Sequence, residues 1–381
     1  MSFSNRTFFA EGEVSEFSRL LEQKKQKGGF VWDLTESNPT RCGFSQETAF
    51  NLNSLTSSNN LSYEPNPKGL LEAREAISSY YAQKKVSVSP DQIFLTSGTS
   101  EGYNFLFHLL ADPGDEILCG LPGYPLFEHL AAMADIHLRQ FRYSFDGKMW
   151  GWDEKELGEL RNKKTKALVL INPNNPTGHY PPIEPGPEPL VSDEVFLDFD
   201  HENKTRKSAA SISEGLCFTL SGISKILGLP QMKLSWIVVS GSQKLRETAC
   251  RRLEIIADAY LSVNTPAQRA LPTWLRNRDI FLKEAMERVA ANFKILNQNA
   301  GARHAVPIHK PEGGWYVVLP LPRGLTDEKA AIYLLKEKDV FVNPGYFFDF
   351  EDDCLVLSLL PEKKIFEEGV KRMQEGLKEL R

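Results

Sequence analysis

Several things are scarce in this chain of 381 residues, and each scarcity closes off a class of function. No run approaches about 18 consecutive apolar residues, so no membrane-spanning helix is expected. The first ten residues, Met1 to Ala10, carry Asn5 and Arg6 but no apolar stretch of the kind that marks a secretory signal. Cysteine is sparse and odd in number: Cys42, Cys119, Cys217, Cys250 and Cys354, never as a CxxC pair. That excludes a disulfide framework and a cysteine-based zinc site, and no metal is expected. Reduced, buried thiols fit a cytoplasmic protein. Basic residues form no stripe; 45 of them face 50 acidic ones, for a net charge of −5, which excludes nucleic acid as a partner.

What remains is an ordinary soluble composition, 41% hydrophobic and 25% charged, on a chain too long for one small core. Short apolar runs alternate with helical periodicity over the first two thirds. Strands are expected at 93–96, 116–119, 167–171, 190–192, 217–220 and 236–240. Helices are expected at 69–84, 101–110 and 126–134. Alternation of this kind predicts an α/β fold, a mostly parallel sheet covered by helices on both faces, whose ligand sits at the carboxyl ends of the strands. After about Leu275 the pattern changes. A long charged helix over 278–298 precedes strands at 305–308, 315–319 and 354–359, and helices at 327–338 and from Pro361 onward. This predicts a second, smaller α+β domain. The expected division is a large domain over 45–275 and a small domain formed by 1–44 with 276–381. Between His179 and Leu190 stand Pro181, Pro182, Pro185, Pro187 and Pro189. Proline breaks helices and removes backbone donors, so this stretch is an extended connection.

Four segments at strand ends carry chemistry. Thr96-Ser97-Gly98-Thr99-Ser100 leads from a strand into a helix, where free N–H groups make an anion site; Lys233 could add a charge. Asn175, in Pro173-Asn174-Asn175-Pro176-Thr177-Gly178, can be aimed by a stiff turn. Asp193 ends a further strand and could face a cation. Lys225, in Ser221-Gly222-Ile223-Ser224-Lys225, is flanked by small residues that allow close approach to a carbonyl. Burial would lower its pKa and make it a nucleophile. Taken singly, these are a helix cap, a turn, a loop acid and a solvated lysine. Together they ask for one ligand with a phosphate, a hydroxyl, a ring nitrogen and a carbonyl, and pyridoxal phosphate has all four.

In order and spacing these motifs resemble the class I/II pyridoxal-phosphate-dependent aminotransferases of the aspartate aminotransferase fold, from about Asp33 to the C-terminus. The resemblance implies that Lys225 forms the Schiff base, Asp193 pairs with the ring nitrogen and Asn175 lies beside the ring hydroxyl. It implies that Tyr124, in Pro122-Gly123-Tyr124-Pro125, stacks on the ring, and that Ser97, Gly98, Thr99, Ser100 and Lys233 hold the phosphate. Tyr63, with Gly69 and Arg74, resembles the segment that reaches the neighbouring subunit's phosphate, which implies a homodimer. Trp315, after Gly313-Gly314, and Asn38, in Asn38-Pro39-Thr40, resemble segments bordering the substrate. The implied reaction moves an amino group between an amino acid and a 2-keto acid. A lyase or decarboxylase on the same cofactor, or a non-catalytic binding protein on the same scaffold, are the alternatives.

Four positions depart from the family pattern. Phe196 stands where a tyrosine usually donates to the ring hydroxyl, and Lys233 where arginine is usual. The connection from Gly178 to Ser192 is short and proline-rich where relatives usually carry a helix. The strand Leu355-Val356-Leu357-Ser358 has Val356 where the family's arginine binds the substrate α-carboxylate. Arg41 is the expected substitute.

Overall fold

Apolar runs of the middle of the chain form one seven-stranded sheet. Its strands are β1 (Ile93–Thr96), β2 (Glu116–Leu121), β3 (His137–Arg142), β4 (Thr165–Ile171), β5 (Leu190–Asp193), β6 (Leu216–Gly222) and β7 (Ser235–Gly241). They lie in the order β1-β7-β6-β5-β4-β2-β3. Only β7 runs antiparallel to its neighbours; every other pairing is parallel. The computed structural model describes residues 4–7, 15–45, 50, 52–300 and 308–380. The strand expected at 305–308 lies outside them except for Ile308, which is not in a strand.

Both faces of the sheet are covered, which is why β5 and β7 are buried along their whole length. The longer helices are α1 (Glu16–Gln26), α2 (Leu71–Gln83), α3 (Thr99–Leu110), α4 (Gln243–Tyr260), α5 (Thr265–Arg276), α6 (Arg278–Ala300), α7 (Asp327–Glu337) and α8 (Lys363–Glu379). Along β7, Trp236 and Val238 join the core formed with Ile77 and Tyr81 of α2 and with Leu271 and Trp274 of α5. Ile237 and Val239 join the opposite core, with Tyr103 and Phe107 of α3 and Leu253 of α4. That split is the two-residue period of a strand made visible. Each such side chain, fully buried, contributes about 1.5–3 kcal/mol of transfer free energy.

A second sheet contains β8 (Tyr316–Pro320), β9 (Asn343–Pro344) and β10 (Cys354–Ser358), ordered β8-β10-β9 and antiparallel. Val317, Leu319, Leu355 and Leu357 share one core with Leu334 of α7 and with Phe366 and Val370 of α8. Val318 and Val356, paired in register, take the opposite face. The N-terminal segment packs here too: Trp32–Asp33 runs parallel to Val340–Phe341, and the Phe17 ring lies 5.7 Å from that of Phe341.

Residues 179–190 form no helix or strand until β5 begins at Leu190. Backbone bonds stitch the two sheets' loops together beside this connection. Gly313 N–H donates to Gly178 O (2.9 Å), Gly314 N–H to Phe199 O (2.9 Å), and Gly123 N–H to Phe348 O (3.2 Å).

Candidate active site

The loops that leave the carboxyl ends of β1, β2, β4, β5 and β6 converge, as an open α/β sheet requires of its ligand site. Five of the expected cofactor-binding residues line one pocket there, Thr99, Tyr124, Asn175, Asp193 and Lys225, and Phe196 lines it too. The cavity they enclose measures about 120 Å³.

Lys225 sits in a single helical turn, Ile223–Ile226, directly after β6. Gly222 makes that junction possible. It pairs in register with Ser235 of β7, and a Cβ on it would lie 2.2 Å from the Ser235 hydroxyl oxygen. The strands therefore pass closer here than any other residue allows. The Lys225 ammonium lies 4.9 Å from the Trp315 ring centre and 5.6 Å from that of Phe196. Burial among these rings pushes its pKa down to about 8, against the opposing pull of the Asp193 charge. A buried lysine of this kind has a reactive free-amine fraction near neutral pH.

Asp193 ends β5, next to β6 in the sheet. Burial pushes its carboxyl up to about 6, while three groups pull the other way: the Val195 N–H, the Tyr103 hydroxyl and the Lys225 charge. Val195 donates to Oδ1 at 3.1 Å and Tyr103 to Oδ2 at 2.9 Å. Each oxygen so keeps a lone pair for a ligand. Glu194, next in sequence, is buried too, but accepts from Ser192 (3.1 Å), Ser208 (2.6 Å), Ala209 N–H (2.7 Å) and Asn172 (3.4 Å).

Thr96 leads into Gly98, the N-cap of α3, whose backbone is extended. The Lys233 Nζ would stand 3.3 Å from a Cβ on Gly98, so the loop and this ammonium face each other. Lys233 has φ 51°, a left-handed conformation that costs a non-glycine residue about 1–2 kcal/mol. Ser97 N–H donates to Glu101 Oε2 (2.6 Å), and the Ser100 side chain lies near the Tyr124 hydroxyl. Asn175 Oδ1 is buried with no hydrogen-bond partner among the described residues. A buried amide oxygen left so is costly unless a ligand meets that amide.

The remaining expected site residues stand apart from this pocket's lining. Trp315 is fully buried behind Lys225. Asn38 caps the turn Pro39–Arg41, accepting from Thr40 N–H at 3.1 Å. The Arg41 side chain is 75% exposed, with Glu36 at 3.9 Å. Tyr63 is 62% exposed. Val356 is fully buried on β10.

Two tyrosines of the site escaped the sequence reading, one in the pocket lining and one behind Asp193. Tyr316, the first residue of β8, lines the pocket, and its hydroxyl lies near the Ser37 side chain. Tyr103 lies one helical turn after Thr99, and that spacing from the phosphate loop was its available signal. No group of three or more metal-ligating side chains occurs among the described residues.

The model of the family "Aminotransferase class I and II" matches residues 45–367. Nicotianamine aminotransferase 1 of Oryza sativa is 30% identical over 73% of this chain; the match spans only 60% of that protein's own length. Glutamate-pyruvate aminotransferase AlaA of Haemophilus influenzae is 24% identical over 97% of this chain and 95% of its own. Among solved structures, an alanine aminotransferase from Pyrococcus furiosus superposes with a TM-score of 0.86 at 22% identity, covering 99% of this chain and 100% of the other. A lysine and an aspartate buried against one pocket of such a sheet, within a family match of this extent, make the chain a member of the class I and II aminotransferases, enzymes that work with pyridoxal phosphate.

Proposed function

We propose that the pocket between Lys225 and Asp193 binds pyridoxal phosphate and transfers an amino group from an amino acid to a 2-keto acid. One observation carries this assignment of residues: an amine with its pKa held near 8 and a carboxylate with free lone pairs face the same cavity from adjacent strand ends. The bound cofactor supplies an aldehyde that captures amines and a ring that accepts electrons from the substrate α-carbon. Lys225 would hold the aldehyde carbon through its amine, and as a free amine would carry a proton to and from the substrate α-carbon. Asp193 would keep a proton on the ring nitrogen. Gly98, Thr99 and Ser100, with Ser97 and Lys233, cradle the phosphate at the start of α3. Tyr124 would pack on the ring, and the Asn175 amide would meet the ring hydroxyl.

For the α-carboxylate, Val356 offers nothing, being apolar and fully buried. Arg142, the cation at the end of β3, is already engaged by Asp349 O (2.8 Å) and Glu351 (2.9 Å). Arg41 is the carboxylate anchor in this reading, because its guanidinium is exposed and Ser37, on the same segment, lies near the Tyr316 hydroxyl. Asn38 and Trp315 complete the substrate side.

The working unit is a homodimer in which exposed Tyr63 reaches the partner's phosphate. Its subunit divides into a large domain, 45–275, and a small one, 1–44 with 276–381. No described helix is long and apolar enough to cross a membrane, and the cytoplasm is the proposed location.

The test is a panel of amino acids, offered singly to the purified protein while the visible absorbance of the bound cofactor is followed. Conversion to the pyridoxamine form, with one keto acid released per site, is the expected result. Product formed without that conversion would replace transamination by a lyase or decarboxylase. No response to any amine would leave a binding protein.

A further inference from the structure

We propose that Tyr103 is a positioning residue that keeps Asp193 ionised and aimed at the cofactor's ring nitrogen. The inference rests on the reading of Asp193 as that nitrogen's partner, and on the geometry of one hydrogen bond.

Tyr103 is fully buried on α3. Its ring is fixed by edge-on contact with Phe127 (centroids 4.9 Å apart) and by Phe107 (6.0 Å). Its hydroxyl, 2.9 Å from Asp193 Oδ2, meets a carboxylate that burial drives toward its neutral form. A phenol in such a place donates; burial beside a negative charge pushes its own ionisation far upward, so it stays a donor throughout the working range. The groups that act on Asp193 are few. Lys225 comes from the turn after β6, the Val195 N–H from its own loop, and the Tyr124 phenol feels its charge. Glu194 is turned to Ser208 and Ala209 and is not among them. Lys225 gives up its free ammonium when it holds the cofactor, so its support is withdrawn when Asp193 has to be charged. Tyr103 and the Val195 N–H are then the donors left.

This arrangement is polar in a particular sense. Phe196, in the pocket lining, has no hydroxyl to offer a ligand, whereas the Tyr103 phenol stands behind the acid proposed for the ring nitrogen. The chain has its hydrogen-bonding strength at the nitrogen end of the ring.

A proton shared between Asp193 and a pyridine nitrogen lies on the nitrogen only while the carboxylate is the better-solvated base. Losing one hydrogen bond to a charged oxygen shifts that balance toward protonated Asp193 by roughly 10- to 100-fold. The experiment is nitrogen NMR of the holoenzyme loaded with ring-labelled pyridoxal phosphate. In the unmodified protein the ring nitrogen is expected near the pyridinium position. In Tyr103→Phe it moves toward neutral pyridine, and kcat falls while KM for the amino acid is kept. On an Asp193→Asn background the same substitution adds nothing. A ring-difluorinated tyrosine at position 103, a stronger donor of nearly the same shape, moves the resonance further toward pyridinium and covers the case in which Tyr103→Phe folds poorly. An unmoved resonance in Tyr103→Phe, with or without a drop in Tm, overturns the proposal. If Asp193→Asn also leaves the resonance unmoved, the assignment of Asp193 itself is wrong. If only Asp193→Asn moves it, that assignment stands and Tyr103 is packing alone.

Discussion

The two walls of the pocket are built on different terms. On the large-sheet side, charged groups are buried and individually supported: Asp193 by Tyr103 and Val195, and Lys225 by the opposite charge of Asp193. On the small-sheet side the lining residue is the uncharged Tyr316, Val356 is buried apart from the lining, and the cation nominated for substrate lies exposed on a loop. Buried charges are expensive and are kept only where partners hold them. On the proposed reading, the contrast teaches that the chemistry is fixed in the sheet and that recognition of the carboxylate falls to an exposed loop side chain.

The strongest way to break this comparison is to remove the amine. Lys225→Ala is expected to lower turnover by about 10³-fold or more, with loss of the visible absorbance of bound cofactor. Borohydride trapping followed by peptide mass spectrometry should place the adduct on Lys225; an adduct on another lysine would overturn the assignment.

Glu194 separates support from chemistry on the same strand end. Its carboxyl, pushed up to about 7 by burial, has four donors and no role in the pocket. Glu194→Gln should cost about 1–3 kcal/mol of stability by setting an amide against those donors. Urea unfolding would measure it, and per-site activity in the folded fraction should hold. The sign with pH follows from the raised folded value: stability from this group is present below about 4.5 and is lost as pH rises through about 7.

A finer probe acts at the ring hydroxyl. Phe196→Tyr restores a donor and should lower the pH midpoint of the bound cofactor's colour change by about one to two units. A spectroscopic titration with an unmoved midpoint would show that the hydroxyl gets its donors elsewhere.

The smallest expected effect falls on the loop. Arg41→Ala should raise KM for amino acids about tenfold, the worth of one exposed charged contact, while simple amines are unaffected. An equal response of both substrate types would remove Arg41 from the carboxylate.

Much of the large sheet was legible because its strands are continuous apolar runs closed by turn residues. Ile93–Thr96 has the bounds its sequence predicts, and the strands at Asp193 and Lys225 extend theirs by one to a few residues. Strand β3 was not legible: as the edge strand His137–Arg142 it buries only Phe141 fully, and its polar residues hide the pattern. Helix α4 escaped for a related reason, since Ala249, Leu253 and Ala257 are its only fully buried residues and two of them are small. The candidate site was legible as far as each residue sits in a short local motif. Tyr103 was not, because on a mostly apolar helix a tyrosine reads as one more core side chain. Only the tertiary fold brings its hydroxyl to a residue ninety positions away.

The crossing of Gly222 and Ser235 bears on how a mutational scan of this chain should be scored. Position 222 will tolerate almost nothing and will rank beside Lys225 in any selection for activity. Its intolerance comes from a collision between strands, with an added Cβ 2.2 Å from a hydroxyl, and not from any step in amino-group transfer. Counting soluble protein alongside growth would tell the two apart: substitutions at Gly222 deplete the protein itself, and those at Lys225 leave it abundant and idle.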